Sequence, residues 1–534
     1  MSTKSIIYDN SKITNGVNKL VDVVAATLGP NGKNIGFVSG SKVINTKDGV
    51  TVAKKAVPFE DKVENYAAQI VKRAADQAVE KAGDGTTTTC VLTRAIYEAA
   101  MSVIKTTSVP VSTICRQLQE IVKRIDNSLK ARELTPESSE FKSAINIATN
   151  GDNDLTEIIT DAFKRVGKDG IITVEPADGK ETTLEKVEGL CFDTGFISPY
   201  FVTNADKMRV EYSANIDGTN APYVLLYDGV LNTADSILHI LDEVNTQRRA
   251  LLIIAEDVTG ECLSSLIINK LRLNASFVAV KSPGYGDGKK NWLHDIAAVT
   301  GAKVVDPKID DIREMGTSCL GTVKRMTIDN RETTLVGLNS NDASLETYIK
   351  NLETYLTTEK EDYYREKLQE RIARLRSGVT IIKLAAFNDV ESQEKSDRID
   401  DAIKAGKAAL KSGVVPGCGV ALYKATKDLN PDELAAGILA SALRAPITTI
   451  LKNAGFNALQ IETWLEHISD NEEAGLRIEN GIASTVDDCY AEGIVDPKLV
   501  VITALEEAVA AASLLMNTAA VIVENDEKKS CECR

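Results

Sequence analysis

The chain has 534 residues, 43% hydrophobic and 26% charged, the make-up of a globular protein long enough for two to four domains, each with its own core. Its formal net charge of −15 argues against nucleic acid as the main partner. The start shows no basic segment followed by an apolar run, and the longest apolar runs, such as 250–255, are too short to span a bilayer, so the expected setting is the cytoplasm with no membrane partner.

Ile13, Val17, Leu20, Val21, Val24 and Leu28 recur at helical spacing, and Gly29-Pro30 should stop that helix. The glycine-rich loop at 28–34 is a place where backbone amides can meet a phosphate, although taken singly it reads as a helix stop. Two short β-prone pieces follow, 35–38 and 42–45. Asp48-Gly49 then reads as a hairpin turn, which makes Asp48 structural. Val63, Tyr66, Ala67, Ile70, Val71, Ala74, Ala75 and Ala78 predict a long amphipathic helix.

That helix leads into Gly83-Asp84-Gly85-Thr86-Thr87-Thr88-Thr89, and Leu92, Ala95, Ile96, Ala99 and Val103 resume the helical pattern beyond it. Two glycines let backbone N–H groups approach a ligand, and the threonines supply hydroxyls at a helix start, where the dipole favours negative charge. Asp84 beside such a site calls for a cation between carboxylate and phosphate, with Mg²⁺ the natural candidate. A polar helix-turn-helix connection has the same composition. Lys before Ser/Thr is absent, so the loop is not a Walker A motif. Three such loops, at 27–34, 46–50 and 83–89, favour a nucleotide site more than any one does.

Residues 138–165 read as a smaller, mostly helical segment. From Gly189 short apolar runs (223–227, 251–255, 277–280, 303–305) alternate with helical stretches near 234–246, 260–271 and 288–300, the pattern of an α/β layer domain. Residues 341–376 are charged and helical. The last third is helical again, with a second glycine turn at 413–420 and a buried-looking helix through Leu499, Ile502, Leu505, Ala508, Val509 and Ala512. The polar tail after Asn525 reads as disordered. Nine cysteines show no pairing rhythm, and Cys531 and Cys533 fall in that tail. Three scattered histidines give little support to a zinc or Ser-His site.

Thr27-Leu28-Gly29-Pro30-Asn31-Gly32-Lys33-Asn34, Lys47-Asp48-Gly49-Val50 and Gly83-Asp84-Gly85-Thr86-Thr87-Thr88 resemble the nucleotide-site signatures of the group I chaperonins, the GroEL type. So do Arg398-Ile399-Asp400-Asp401-Ala402, the turn at 413–420 and Gly493-Ile494-Val495-Asp496-Pro497. Phe196-Ile197-Ser198-Pro199-Tyr200-Phe201, residues 251–258 and Arg365-Glu366-Lys367-Leu368-Gln369-Glu370-Arg371 match between them, in the same order, from about residue 5 to 523.

The resemblance implies a multidomain α and α/β subunit. A mostly helical equatorial domain would comprise 1–130 and 413–534, with the disordered tail from about 525. A small α+β intermediate domain would comprise 131–188 and 379–412, and an inserted α/β apical domain 189–378. It implies an ATPase that captures non-native polypeptides and promotes their folding inside a homo-oligomeric seven-fold ring, single or stacked in two, and it brings in a co-chaperonin lid as a further partner. Thr27, Leu28, Gly29 and Pro30 would line the phosphates, and Lys47 would sit near them and a bound K⁺. Asp84 would ligate Mg²⁺, while Gly85, Thr86, Thr87 and Thr88 wrap the phosphate chain. Asp401, on a movable domain, would orient or deprotonate the attacking water, with Asp48 assisting, so hydrolysis would wait for closure. Gly417, Cys418 and Gly419 would approach ribose and base, Asn480 the adenine, and Asp496 the ribose hydroxyls.

Phe196, Tyr200, Phe201, Leu238, Leu241, Leu263, Ile267 and Ile268 match the family's client-binding apolar positions. On spacing alone they read as core. Asn31, Cys418, Gly481-Ile482 and the Cys-Glu-Cys tail depart from the usual pattern, pointing to a divergent lineage, a phage-encoded chaperonin among the options. A non-hydrolysing holdase or scaffold of the same fold is the alternative. A small-molecule phosphotransferase using the same loops is a third reading, and it predicts a monomer or dimer.

Overall fold

Asp9, Asp48 and Asp61 each open a helix, their carboxylates accepting N–H groups of the first turn. The structure is a computed structural model that describes residues 3–39, 42–167, 171–177, 181–187, 189–205, 207–215, 218–338, 342–377, 379–385, 389–430, 432–469, 471–479 and 482–525. Strand β1 (Thr3–Ile7) leads to α1 (Asn10–Ala25), then the hairpin β2 (Ile35–Ser39) and β3 (Lys42–Thr46). Helices α2 (Gly49–Ala56), α3 (Lys62–Ala82), α4 (Thr86–Ile104), α5 (Val111–Ser128), α6 (Ser139–Ala148) and α7 (Asn153–Val166) follow.

The middle of the chain is where sequence alternation becomes sheet and helix. It contains β4 (Ile171–Pro176), β5 (Thr183–Val187), β6 (Gly189–Phe192), β7 (Val210–Ser213) and β8 (Tyr223–Leu231). Next come α8 (Leu238–Thr246), β9 (Leu251–Val258), α9 (Gly260–Leu273), β10 (Phe277–Lys281), α10 (Asp287–Thr300), β11 (Val304–Val305) and α11 (Ile312–Met315). It closes with β12 (Gly321–Ile328), β13 (Thr333–Leu338), α12 (Asp342–Thr358), α13 (Asp362–Ser377) and β14 (Val379–Leu384).

The last part runs through α14 (Asp389–Ser412), β15 (Val414–Pro416), α15 (Val420–Ala425), α16 (Leu434–Ala442), α17 (Ala445–Asn453) and α18 (Ala458–His467). Hairpin β16 (Gly475–Glu479) and β17 (Ile482–Val486), then β18 (Val495–Pro497), α19 (Lys498–Met516) and β19 (Val521–Asn525) complete it.

Two compact units result, Met1–Asp161 with Gln393–Arg534, and Ala162–Ser392. The first is built on small residues. Ala67, Ala68 and Ala75 of α3 and Leu505, Ala508 and Ala512 of α19 are fully buried, so helix axes can approach closely around one core. β1 pairs antiparallel with β19, from Thr3 opposite Asn525 to Ile7 opposite Val521, which ties the two described ends of the chain into one ribbon.

In the second unit β8, β9 and β10 lie parallel, with α8 and α9 in the connections, as the alternating runs predict. The sheet order is β10-β9-β8-β12-β13-β6, with β11 against β8 and β7 against β12. A separate three-stranded sheet has the order β4-β14-β5.

Three expectations are corrected. The helix from Ile13 ends at Ala25, before Leu28, because the chain tightens there: Thr27 N–H donates to Val24 O and Leu28 N–H to Ala25 O. Asp48-Gly49 is no hairpin turn. Asp48 caps α2, whose Val52 and Ala53 are fully buried, so tertiary burial decides the local ambiguity in favour of helix. Finally, Leu434–Asn453 and Lys498–Met516 are long and apolar enough to cross a membrane by length and composition, yet more than half of each is buried inside the protein, as core helices are.

Candidate functional site

Three loops meet in the first unit. Thr27 Oγ1 donates to Val24 O at 2.8 Å and lies 3.4 Å from Thr87 Oγ1. A Cβ on Gly49 would stand 2.2 Å from that same Thr87 oxygen, so the absence of a side chain at residue 49 gives this hydroxyl its room. Leu28, Gly29 and Pro30 complete the turn after α1, and Lys47 Nζ donates to Pro30 O at 3.2 Å. The convergence expected of 27–34, 46–50 and 83–89 is therefore present in the fold.

The start of α4 is open to an anion. Its N-cap is Gly85 at φ +102°, and no side chain caps the helix. Thr86 Oγ1 is buried without a hydrogen-bond partner among the described residues, while Thr87 and Thr88 are half-buried. Unfilled N–H groups and an orphaned hydroxyl at a helix N-terminus suit phosphate oxygens.

Carboxylates face this helix start. Asp84 Oδ1 accepts from Gly85 N–H at 2.6 Å, and Asp48 accepts from Val50 and Thr51 N–H at 3.1 and 2.8 Å. Asp401, on α14, lies 3.6 Å from Lys404 Nζ one helical turn on. Burial raises the Asp84 carboxyl above the ordinary range, against the Gly85 N–H and with added repulsion from Asp48. Burial pushes Asp401 up to about 7; Lys404 opposes this, and Asp84 and Asp48 add to it. The Asp401 side chain is nonetheless 60% exposed, so both groups belong to the floor of an open cleft: protein closes around them, and solvent still enters.

Mutually repelling carboxylates of this kind fit a hard divalent cation. Among the described residues no group of three or more His, Cys, Asp or Glu side chains is placed to hold a metal alone. A Mg²⁺ ion on Asp84 would accordingly need phosphate and water oxygens to complete its shell.

The opposite wall comes from the end of the chain. β15 pairs antiparallel with β18, setting Val415 opposite Asp496, and Gly417 N–H donates to Ile494 O at 2.9 Å. Gly419 begins α15 at φ +75°, and Cys418 holds φ +58°, a left-handed conformation unusual for a residue with a side chain. Burial pushes Asp496 up to about 7, with repulsion from Asp84 added and the Cys418 N–H opposing. Burial first, then Asp496 and Cys489, push the Cys418 thiol up to about 12, which leaves it unreactive. Asn480 lies outside the described residues.

Two residues of the cleft escaped the reading of the sequence. Lys404 had a signal, standing at i,i+3 from Asp401 on a helix. Asn453 had none, since its partners are 428 and 425 residues away.

In the second unit the expected apolar positions divide. Tyr200, Leu238 and Ile268 are exposed at 62%, 47% and 49%. Phe196, Leu263 and Ile267 are partly buried against the core, and Phe201 and Leu241 lie inside it. Leu271 and Leu273, not singled out from the sequence, extend the exposed surface of α9. Lys270 fastens α9 to the turn at Pro199–Phe201 by donating to Phe201 O.

Residues 20–526 match the TCP-1/cpn60 chaperonin family. Two solved structures of the chaperonin gp146 from the bacteriophage EL 2 (Pseudomonas aeruginosa), in the presence of ATP-BeFx, share the fold. Their TM-scores are 0.68 in crystal form II and 0.61 in crystal form I. Each is 20% identical in sequence, with 98% of this chain and 99% of that chain covered. The multidomain α and α/β chaperonin fold expected from the motifs is the fold found. The chain is a member of the TCP-1/cpn60 chaperonin family.

Proposed function

We propose that this chaperonin binds ATP in the cleft of the first unit, hydrolyses it with Asp401 as the base, and uses the cycle to capture and release non-native polypeptides. The observation that carries the reading is the facing of Asp48, Asp84 and Asp401 across one open cleft beside the uncapped start of α4. The presence of ATP-BeFx with the similar phage chaperonin supports a nucleotide as the ligand.

The phosphates lie against the Thr27–Pro30 turn and the amides of Gly85, Thr86, Thr87 and Thr88, with Lys47, and K⁺ beside it, adding positive charge. Asp84 would hold Mg²⁺, which would supply charge neutralisation for the phosphates. Asp401 accepts the proton of the in-line water, and Asp48 orients that water. Gly417, Cys418, Gly419 and Asp496 take the ribose and base side, with Asn480 toward the adenine. The subunit is read as equatorial, intermediate and apical parts with the boundaries given from the sequence, assembling in a seven-fold ring, single or double, with a co-chaperonin lid as a further partner.

The test is ATP binding and phosphate release by purified protein. Asp84→Ala, or chelation of Mg²⁺ in the unaltered protein, is expected to weaken ATP binding by about tenfold or more, since unscreened phosphates then meet the carboxylates that remain. ATP binding that ignores both changes would remove the metal role from Asp84. A particle of monomer size, indifferent to adenine nucleotides, would overturn the whole reading.

Clients are assigned to the exposed apolar surface around Tyr200, Leu238 and Ile268, because promiscuous capture needs contacts that do not depend on sequence. Leu238→Glu combined with Ile268→Glu is expected to lower capture of a denatured client by about tenfold, with ATP turnover within twofold. Light scattering of an aggregating client and a phosphate assay check the two halves separately.

A further inference from the structure

Asn453 is the last residue of α17, and its side-chain amide is turned toward the phosphate turn. Both of its N–H bonds are spent there: Nδ2 donates to Ala25 O and to Leu28 O, at 2.9 Å each. Ala25 O is the last carbonyl of α1 and already receives the Leu28 N–H at 3.1 Å. The amide therefore clamps the point where α1 gives way to Thr27–Pro30. Helix ends leave carbonyls unfilled, and here a side chain from a distant helix takes them.

The same helix touches the opposite turn. A Cβ on Gly29 would lie 3.0 Å from Cγ2 of Ile450, one turn before Asn453. A Cβ on Gly419 would lie 2.8 Å from the backbone nitrogen of Ile447, one turn earlier still. Leu28 and Cys418 both pack on the small apolar cluster formed by Ile447, Ile450 and Leu451 with the β16–β17 hairpin. One face of α17 is thus in contact with the phosphate side and the ribose side of the cleft together.

We propose that α17 is the positioning element of the nucleotide cleft, with Asn453 as the positioning residue that sets the Thr27–Pro30 turn against the Gly417–Gly419 turn. This rests on the ATP-binding reading of the cleft. Asn453 need not touch ATP. Its amide holds the turn in the geometry that phosphate requires, so that geometry is present before the ligand arrives.

The test is steady-state kinetics of Asn453→Ala and Asn453→Asp. Asp has the size of Asn but sets a carboxylate against two carbonyls, so it separates lost donors from lost volume. Both variants are expected to raise the KM for ATP by about tenfold with kcat within twofold. Proportional loss of kcat with unchanged KM, or an Asp variant with unaltered KM, would overturn the inference. Should either variant fail to fold, hydrogen exchange on the unaltered protein decides. ADP should slow exchange at 28–33 and at 451–456 together, and protection at 85–89 without any at 451–456 would overturn it. Unaltered protein that turns over ATP normally beside indifferent variants sinks only this inference. Unaltered protein that binds no ATP sinks the functional reading as well.

Discussion

Asp401→Ala is expected to cut phosphate release by two to four orders of magnitude while ATP affinity stays within a few fold, the range a positioned general base contributes. The role proposed for Asp401 is to act on water rather than to hold the nucleotide. It sits on α14, where the charges of Asp84 and Asp48 reach it and Lys404 Nζ lies 3.6 Å away. Burial and the repulsion of Asp84 and Asp48 push it up to about 7, so near neutral pH it can both accept a proton and return it. The sign of the pH dependence follows. Below about 7 the carboxyl is protonated and cannot serve as a base, so kcat/KM, which reports the free enzyme, should rise as pH increases through that value. Lys404 favours the ionised form, so Lys404→Ala should move the midpoint alkaline. Unchanged phosphate release in Asp401→Ala would remove the base role from Asp401. Full ATP binding without turnover in the unaltered protein would establish the holdase reading in its place.

What the sequence made legible was local or repeated. The periodic apolar residues of α3 and α4 announce two helices, and Gly83-Asp84-Gly85 between them can only be a turn. The parallel strands β8, β9 and β10 show as apolar runs because both faces of such a sheet are covered. What stayed hidden depends on partners far along the chain. Asp48-Gly49 suits a hairpin turn and a helix cap equally, and only burial of Val52 and Ala53 against other helices selects the cap. Leu238 and Leu241 share a helical spacing that would place them on one stripe, yet one is 47% exposed and the other 2%. Spacing states which residues can share a face, and the packing of α8 decides how far around the helix that face extends. The carboxylate cluster was legible only as scattered motifs. Its convergence requires α14 and β18 to lie against loops from the first hundred residues.

Gly83→Ala is expected to slow hydrolysis by about 100-fold while ATP remains bound, the penalty associated with displacing a reacting group by roughly 1 Å. Gly83 closes α3 at φ +82°, where a side chain costs about 1 kcal/mol. The larger effect is contact, because the new Cβ would lie 2.4 Å from Cβ of Lys404. That atom is fixed to the backbone of α14 and cannot rotate away, so the helix itself must shift, carrying Asp401 off the cleft. Lys404→Ala keeps the offending Cβ and should rescue nothing, whereas Lys404→Gly in the Gly83→Ala background should recover most of the rate. Gly301→Ala supplies the control: it imposes the same left-handed strain at φ +73° with nothing within 4 Å of the new methyl. Both alanine variants should lower the melting temperature, since both force a side chain into that backbone conformation. A matching fall in turnover for Gly301→Ala would assign the loss to general strain. A fall confined to Gly83→Ala and reversed by Lys404→Gly would tie hydrolysis to the distance between the glycine turn and the helix that carries Asp401.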